Sequence, residues 1–419
     1  VDKNKMHQAE PALNDKGEVK ENGIGELINY IPRKIKTIKV ENDNGSFQIK
    51  SYTPVKKTKD KNGKTKTETQ ATEYTLVGYK DKSIAEGKPD SVASDAAAMS
   101  FTKIVSVSGD EDSDFGFDKP KGMYNIGVTR ELYIFECLIN NVMEIVKKAG
   151  AWIPFYIMTS DKNYDDTTAF LKEKNYFGYN AKYIHFFKQE MAPSVDYNGK
   201  LLMEAPDRLS LSPNGNGGWF SSLCRYGYDK QMKEAGVEWL TAFAVDNVLQ
   251  RINDPAFVGA VIDSGCDCGG MVVRKADPNE RVGVLCTEDG KPSIVEYYEM
   301  TEDMIHLKDE NGNLLYNFGV ILNYMFNLDR LTEIKSKRLP LHIVEKKIPY
   351  IDGDGNLIKP TTPNGYKFES LILDMIHMMD SCCPFEVERE KAFAPVKNPT
   401  GVDSVESARK LLEKNGVTL

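Results

Sequence analysis

Apolar segments of two kinds follow one another along the chain from about residue 123. Residues 133–148 carry apolar side chains at helical spacing, whereas residues 152–158 form a short apolar run typical of a buried strand. The same pair recurs at 165–174 and 183–187. Interleaved helices and strands predict an α/β fold whose sheet is mixed and mostly parallel, with helices on both faces. Binding sites in such sheets lie beyond the carboxyl ends of the strands.

The remaining apolar segments of this region are shorter. Those predicted as strands are 243–248, 257–262, 270–274, 282–286 and 294–297. A later amphipathic segment, 404–415, predicts a helix. The segment 243–248 contains an acid followed by an amide, Asp246 and Asn247, so polar groups are expected at the end of an apolar strand.

The first hundred residues have a different sequence pattern, because short β-like segments alternate there with turn signals. The predicted strands are 37–40, 46–52 and 73–79. We therefore divide the chain into an accessory β-rich region, 1–100, and a second domain, 101–419. Six lysines fall within residues 56–66, which most simply form a solvated hairpin tip. The alternative is a docking surface for an anion or a protein partner.

Charge and cysteine usage exclude several classes of protein. The chain has 54 Lys and Arg against 62 Asp and Glu, a net charge of −8, which disfavours a general nucleic-acid binder. It has no apolar run of about 18 residues, so no membrane span is expected. The 7 cysteines lack the spacing of a disulfide framework or a zinc site. Buried free thiols and a cytoplasmic location are the simplest expectation.

A glycine-rich turn at residues 213–218 is the strongest local motif. Its glycines allow positive φ angles and close approach of the backbone to a ligand. Asn216 offers both a donor and an acceptor, which suits the edge of a base such as uracil. A plain surface turn is an equally good explanation.

Two charged residues stand where phosphate chemistry would need them. Asp246, at the end of an apolar strand, is placed as a Mg²⁺ ligand facing phosphates, although it could equally cap the next helix. Lys121 lies between Pro120 and Gly122 and is suited to pairing with a phosphate.

These motifs and others like them occur in one order over about residues 115–415, a stretch that resembles the eukaryotic-type UDP-sugar pyrophosphorylases, and among them the UDP-N-acetylglucosamine pyrophosphorylases. The resemblance rests on Pro120-Lys-Gly-Met-Tyr124, Phe155-Tyr-Ile-Met-Thr-Ser160, Phe186-Phe-Lys-Gln189, Pro213-Asn-Gly-Asn-Gly-Gly218, Val245-Asp-Asn247, Gly265-Cys-Asp-Cys-Gly269, Val295-Glu-Tyr297, Lys346-Lys-Ile-Pro-Tyr350, Pro363-Asn-Gly365 and Pro395-Val-Lys397. It implies a Rossmann-like nucleotidyltransferase domain.

The resemblance also implies a reaction and a set of site residues. In that family a sugar 1-phosphate oxygen attacks the α-phosphorus of UTP and pyrophosphate leaves, with Mg²⁺ as cofactor. The implied roles are uracil binding by Gln189, Gly215 and Asn216, metal and phosphate binding by Asp246, sugar binding by Gly283, Glu296 and Tyr297, and phosphate contacts, as catalytic residues, by Lys121 and Lys397.

The chain departs from the family at its glycine-rich phosphate loop. Residues 107–116 keep only Gly109 and Gly116, carry four acids, and place Asp114 where the family has an arginine. A unit-charge contact at 4 Å is worth about 1 kcal/mol in water and about 4 kcal/mol near a protein surface, so the exchange should weaken UTP binding severely. Outside the loop, Val320 stands for an asparagine that contacts the sugar, and Leu371 and Leu373 stand for aromatic residues.

Two functions therefore remain open. The favoured hypothesis is a pseudoenzyme, an inert or altered relative that reuses the fold as a binding or assembly component. The alternative is an active uridylyltransferase that forms UDP-N-acetylglucosamine or a related UDP-sugar.

Overall fold

The structure, a computed structural model, describes residues 117–419 in full and, before them, the backbone of eight strands between His7 and Gly109. The strands are β1 (His7–Ala9), β2 (Leu27–Asn29), β3 (Lys36–Glu41), β4 (Ser46–Tyr52), β5 (Lys57–Lys59), β6 (Thr65–Thr67), β7 (Tyr74–Lys80), β8 (Ile104–Gly109), β9 (Phe155–Thr159), β10 (Ile184–Lys188), β11 (Met191–Pro193), β12 (Val195–Asp196), β13 (Met203–Ala205), β14 (Arg208–Leu209), β15 (Leu211–Pro213), β16 (Trp239–Ala244), β17 (Cys268–Arg274), β18 (Val284–Glu288), β19 (Lys291–Val295), β20 (Phe318–Asn327), β21 (Leu341–Lys346), β22 (Tyr350–Ile351), β23 (Leu357–Ile358), β24 (Gly365–Glu369) and β25 (Cys382–Glu386).

The helices follow the same chain order. They are α1 (Ile134–Ala149), α2 (Tyr164–Glu173), α3 (Trp219–Arg225), α4 (Tyr228–Glu234), α5 (Pro255–Asp263), α6 (Glu302–His306), α7 (Leu328–Ile334), α8 (Ile372–His377), α9 (Arg389–Ala392) and α10 (Val405–Lys414). Within the described part of the chain, no helix combines the length and apolar character that crossing a membrane requires.

One large mixed sheet organises the molecule. Its strand order is β10-β9-β8-β16-β20-β17-β25-β7-β4-β3, and β18 and β19 attach beside β20. The ladders from β10 to β16 and from β17 to β7 are parallel. Strand β20 runs antiparallel between them, and the β3–β4–β7 and β18–β19 ladders are antiparallel too. The prediction of a mixed α/β sheet is confirmed, but parallel ladders do not predominate among the described strands.

Helices cover both faces of this sheet, as predicted. On β9, Phe155 and Ile157 join one core cluster while Tyr156 and Met158 join another, because successive side chains of a strand point to opposite faces. The first core cluster contains buried residues of α1, α2, α5 and α10. The second contains those of α3, α4, α7 and α8.

Two predicted strands are wrong. Residues 257–262 belong to α5, a helix buried almost all round, so its apolar run lacks the polar stripe that reveals a surface helix. Its real signal lies just before it, where Asp254 caps the helix by accepting from the backbone of Ala256 and Phe257, and Pro255 is the first helical residue. The strand predicted at 243–248 is displaced: the actual strand, β16, ends at Ala244, so residues 245–248 lie beyond it.

The predicted strands of the first hundred residues agree with β3, β4 and β7, which pair along one edge of the large sheet. Strands β5 and β6 form a hairpin in the lysine-rich segment. The hairpin tip, 60–64, and the acidic segment, 110–116, lie outside the described residues. The accessory β-rich region, its boundary at residue 100 and its protein partner all stay predictions.

The cysteines are free thiols, as predicted. Those at 268, 286, 382 and 383 are buried, and the other three are half-buried. Burial raises the pKa of the Cys137 thiol to about 12, so that group is a packing residue rather than a nucleophile. The cytoplasmic location stays a prediction.

Candidate functional site

The carboxyl ends of four parallel strands, β10, β9, β8 and β16, meet at one edge of the large sheet. Gln189 directly follows β10, and Asp246 lies two residues past β16. Because β20 is antiparallel to β16, it begins at this same edge, and Val320 is its third residue. The topology therefore brings residues from distant parts of the sequence to one edge, where sites of α/β sheets lie.

A backbone link brings Asp246 and Lys397 together. The N–H of Val396 donates to the carbonyl of Asp246 at 2.9 Å, and Asn247 pairs with Pro395 as an isolated β-bridge. Lys397, the next residue, is exposed, whereas Asp246 is buried. An acid and a lysine some 150 residues apart thus become neighbours at the sheet edge.

Asn247 holds this link in place with both ends of its side chain. Its Nδ2 donates to the carbonyl of Ala392 at 2.8 Å and to Oε1 of Gln250 at 2.9 Å. Its Oδ1 accepts from the N–H of Ala394 at 2.8 Å. The residue is fully buried, so each of these bonds matters to stability. In the sequence, Asn247 stands out only as the neighbour of Asp246, and an amide directly after a strand-end acid is its one signal.

The glycine-rich turn is packed against the chain before α8. Gly215 has φ +84°, and a Cβ there would lie 2.3 Å from the carbonyl oxygen of Ser370. The N–H of Gly217 donates to that same oxygen at 2.8 Å. On the other side of the turn, the N–H of Asn214 donates to the carbonyl of Glu190 at 3.2 Å, next to Gln189. Gln189 and Gly215, both predicted nucleotide residues, therefore lie in one neighbourhood.

The side chain of Asn216 also has a structural role. Its Oδ1 accepts from the N–H of Ile372 at 2.9 Å and so caps the first turn of α8. One acceptor site of the amide oxygen is thus occupied by the protein, and the role of Asn216 in binding a base stays a prediction. Its amide N–H groups are the part left to contact a ligand.

The predicted sugar residues form a second group. A Cβ on Gly283 would lie 3.4 Å from Oε1 of Glu296, and the carbonyl of Gly283 accepts from the N–H of Val320 at 2.9 Å. The side chain of Val320 packs against the second core cluster. Tyr297 is 38 % exposed and makes an edge contact with Tyr298, with 5.0 Å between ring centroids.

Glu296 is the most perturbed carboxyl group of this region. Burial raises its pKa to about 7, and the charge of Glu299 adds to the rise. His342 and Lys397 act in the opposite direction. The charge of Lys397 thus acts on Glu296, which places the predicted sugar residues near the segment that carries Lys397.

Three further ionisable residues lie near Glu296, and no sequence motif indicates them. His342 Nε2 and Asp374 Oδ2 are 2.8 Å apart and both residues are buried. Glu299 is buried too, and its Oε2 accepts from the N–H of Glu296 at 3.0 Å. Asp374 and Glu299 hold the pKa of His342 above its ordinary value although burial alone would lower it. The three residues come from separate elements, so no spacing in the sequence signals them.

Lys121 occupies a single helical turn, Lys121–Met123, at the start of the fully described chain. The residue is buried, and the turn packs so closely on α1 that a Cβ on Gly122 would lie 2.3 Å from the Phe135 ring. Packing therefore fixes the backbone of Lys121, which follows the segment after β8.

The side chains at this edge of the sheet can be compared with those that a bound metal ion would need. Within the described residues, no three His, Cys, Asp or Glu side chains are grouped so as to hold a metal ion. Mg²⁺ commonly takes one or two carboxylates and completes its shell with water and substrate phosphates. Asp246, a single carboxylate beside Lys397, fits a Mg²⁺ ion that arrives with a phosphate ligand rather than a resident metal.

The fold is that of an α/β protein of nucleotidyltransferase type. Residues 47–418 match the family model described as UTP–glucose-1-phosphate uridylyltransferase. The chain belongs to this family, that of the UDP-sugar pyrophosphorylases.

Individual relatives agree with the family match. The human UDP-N-acetylhexosamine pyrophosphorylase-like protein 1 is 35% identical over 326 residues, which cover 75% of this chain and 64% of that protein. The UDP-N-acetylglucosamine pyrophosphorylase of Saccharomyces cerevisiae is 35% identical over 327 residues, covering 75% and 69%. A crystal structure of the Trypanosoma brucei uridine diphosphate N-acetylglucosamine pyrophosphorylase superposes with a TM-score of 0.68 at 26% identity, covering 77% of this chain and 66% of that one. The chain thus spans less than two thirds of the human relative.

The close packing of Gly215 can be separated from its backbone conformation. We expect Gly215→Ala to destabilise the protein more than Gly178→Ala, because Gly178 has nearly the same φ, +83°, but no atom within 4 Å of its Cβ position. Gly178→Ala, the control, should lower the free energy of unfolding by about 1–2 kcal/mol because its backbone is left-handed. Gly215→Ala should lower it by at least about 2 kcal/mol more, because its Cβ also meets Ser370. Urea unfolding measures both. Equal costs would mean that the turn is not held against Ser370.

Replacing Asn247 with Asp should loosen the link between Asp246 and Val396. Two amide donors are lost and a charge is buried, so we expect a cost of about 2–5 kcal/mol in the free energy of unfolding. Hydrogen exchange at the Val396 amide should also accelerate. Asn415→Asp is the matched control, because Asn415 Nδ2 also donates to two carbonyls but is exposed. Unchanged protection at Val396 would contradict the role given to Asn247.

Glu296 should make stability depend on pH. Its folded-state pKa of about 7 lies above the ordinary 4.5, so the folded protein binds more protons between these values and the free energy of unfolding falls as pH rises through them. Glu296→Gln stays neutral and should gain roughly 1–3 kcal/mol relative to wild type between pH 5 and 8. Urea unfolding at several pH values tests this, with the exposed Glu310→Gln as control. Parallel pH profiles for wild type and Glu296→Gln would contradict the assignment.

Proposed function

We propose that the protein is a uridylyltransferase that joins UTP and N-acetylglucosamine 1-phosphate, or a related sugar 1-phosphate, and releases pyrophosphate. The observation that carries the proposal is the link from Val396 to Asp246, which places Lys397 beside Asp246 and within electrostatic reach of Glu296. The names of the yeast and Trypanosoma relatives support the N-acetylglucosamine substrate.

The chemistry needs little covalent participation by the protein. A phosphate oxygen of the sugar 1-phosphate forms a bond to the α-phosphorus of UTP while the bond from that phosphorus to the β-phosphate oxygen breaks. The protein's task is to hold two polyanions together and to offset their repulsion. Lys397 and Lys121 are the candidate cations, and Mg²⁺ bound with Asp246 would supply further neutralisation of the phosphates.

The remaining residues bind the two ends of the product. Gln189, Gly215 and the amide N–H groups of Asn216 would hold the uracil, at the turn packed before α8. Glu296, with Gly283 and Tyr297, would accept hydrogen bonds from the sugar hydroxyls or line the ring. A carboxyl group with a pKa near 7 can accept such bonds when ionised and donate one when protonated.

A second candidate function is binding without catalysis: the protein would be an inert relative of the enzymes that binds UDP-sugars or assembles with other proteins. One observation favours it, the four acids at 110–114 in place of the family's phosphate-binding loop. This segment lies outside the described residues. Acidic residues would repel the triphosphate more than the uracil or the sugar, so binding without turnover is the form this candidate takes.

Pyrophosphorolysis, the reverse of the proposed reaction, tests whether the protein has transferase activity. Purified protein, Mg²⁺, pyrophosphate and either UDP-N-acetylglucosamine or UDP-glucose are mixed, and UTP release is followed. We expect release of UTP, and a loss of about 100-fold or more in kcat/KM for Lys397→Met, because a charge facing the transferred phosphate is removed. Lys410→Met, an exposed lysine paired with Glu406 on α10, is the control and should keep its activity.

No UTP from a cooperatively folded sample would overturn the transferase and favour the inert relative. In that case Asp114→Arg by itself should not restore activity, because the glycines of the family loop remain absent. UTP release by that single variant would instead show that the charge of Asp114 alone had silenced the enzyme.

A further inference from the structure

Strand β10, which leads into Gln189, lies at an edge of the large sheet. Among the described strands it pairs with β9 alone, in a parallel ladder. Backbone groups of alternate residues in a strand point to opposite sides, so half of those in β10 face away from β9. Without another strand there, such groups depend on water or on side chains for their hydrogen bonds.

Two tyrosine hydroxyls take up outward-facing backbone groups of β10. The N–H of Lys188 donates to Oη of Tyr226 at 3.2 Å, and Oη of Tyr228 donates to the carbonyl of Phe186 at 3.3 Å. The two tyrosine rings lie nearly parallel, with 5.9 Å between their centroids. The last residues of β10 are therefore held by side chains from the end of α3 and the start of α4.

Arg225, the last residue of α3, holds the residue on the other side of Gln189. Its Nη1 lies 2.7 Å from Oε1 of Glu190, and the carbonyl of Glu190 accepts from the N–H of Asn214. The N–H of Gln189 itself donates at 2.7 Å to the carbonyl of Thr159, at the end of β9. These three consecutive residues thus each have a backbone or side-chain partner that fixes their position, and the Gln189 side chain extends from a held backbone.

Helix α3 connects these contacts with the glycine-rich turn. It begins at Trp219, directly after the turn that contains Gly215 and Asn216, and it ends at Arg225. Its apolar side chains are buried in the second core cluster, so the helix is firmly packed. One end of α3 therefore joins residues predicted to bind uracil, and the other end holds Gln189, which is predicted to bind the same base.

Uracil and cytosine present opposite groups to a glutamine amide. Uracil offers a donor at N3 and an acceptor at O4, whereas cytosine offers an acceptor at N3 and a donor at N4. An amide carries both a donor and an acceptor, so by turning over it can satisfy either base. A glutamine therefore selects uracil only if its position favours one orientation of the amide, and the contacts at residues 188–190 restrict that position.

We propose that Tyr226, assisted by Arg225, is a positioning residue that holds Gln189 and thereby favours uracil over cytosine in the bound nucleotide. This role rests on the proposed function, which places Gln189 against the base. Neither Tyr226 nor Arg225 belongs to the motifs that carry the family resemblance. The two residues would act on the base only through Gln189, by limiting where its amide can lie.

Affinities for UDP and CDP, measured by calorimetry, test this role without turnover. The two nucleotides share the ribose and the diphosphate and differ only in the base. We expect wild-type protein to bind UDP at least about tenfold more tightly than CDP. Tyr226→Phe removes the acceptor of the Lys188 N–H but keeps the ring. The ratio of the UDP affinity to the CDP affinity should therefore fall about threefold or more, through weaker binding of UDP.

A double-mutant cycle with Gln189→Ala shows whether Tyr226 acts through Gln189. Gln189→Ala alone should lower the affinity ratio at least as much as Tyr226→Phe does. Adding Tyr226→Phe to Gln189→Ala should change the ratio by less than about 1.5-fold, because a residue that positions Gln189 then has nothing to position. Arg225→Met breaks the exposed pair with Glu190 and, as a second variant, should lower the ratio about twofold.

Tyr197→Phe is the matched control. Tyr197 is an exposed tyrosine like Tyr226, and its hydroxyl donates at 2.6 Å to Oε1 of Glu345, a contact that involves neither β10 nor the glycine-rich turn. This variant should leave the affinities for both nucleotides unchanged. Urea unfolding of every variant separates a change in base preference from a general loss of stability, which would weaken UDP and CDP binding alike.

The outcomes separate the positioning role from the function on which it rests. An unchanged ratio in Tyr226→Phe, an equal loss of affinity for both nucleotides, or a further fall of the ratio in the double variant would overturn the positioning role and leave the transferase standing. UDP binding with the expected ratios but without UTP release would support the positioning role and favour the inert relative. Binding of neither nucleotide by wild-type protein would overturn the proposed function, and the role of Tyr226 with it.

Discussion

The pairing of residues 246–248 with residues 394–396 is the contact on which the site depends. It joins the end of a central strand to a segment that follows the last strand of the sheet, and it is the reason why Asp246 and Lys397 are neighbours. Backbone bonds of this kind have little specificity by themselves. The buried amide of Asn247 supplies it, because both its donor and its acceptor are used only when the two segments are in this register.

The other side of the site is held at some cost to stability. Glu296, Glu299, His342 and Asp374 are ionisable groups gathered in a region of low exposure, and the raised pKa of Glu296 records the repulsion and desolvation they share. A core built for stability alone would have apolar residues there. Such clusters are frequent at binding sites, where a ligand's donors and charges replace the lost water.

Sequence patterns anticipated local structure where the pattern was long and one-sided. The helix expected at 133–148 is Ile134–Ala149, because an amphipathic repeat over four turns has few alternatives. The same reasoning was wrong at 257–262, where burial on all sides removed the polar stripe. In the site, resemblance singled out Asp246, Glu296 and Lys397. It could not reveal that the Asn216 oxygen accepts a hydrogen bond from the first turn of α8, nor that His342 pairs with Asp374. Both facts depend on contacts between distant segments.

The sequence by itself determined the segments with a long, one-sided pattern such as α1, the turn that favours glycine at Gly215, and membership of a family through motifs in a fixed order. Each of these depends on neighbours a few residues away or on matching residue by residue. Tertiary structure decided the antiparallel insertion of β20, the meeting of Asp246 with Lys397 and the raised pKa of Glu296. These follow from which distant surfaces pack together and how much water they exclude, and neither is written in the spacing of residues along the chain.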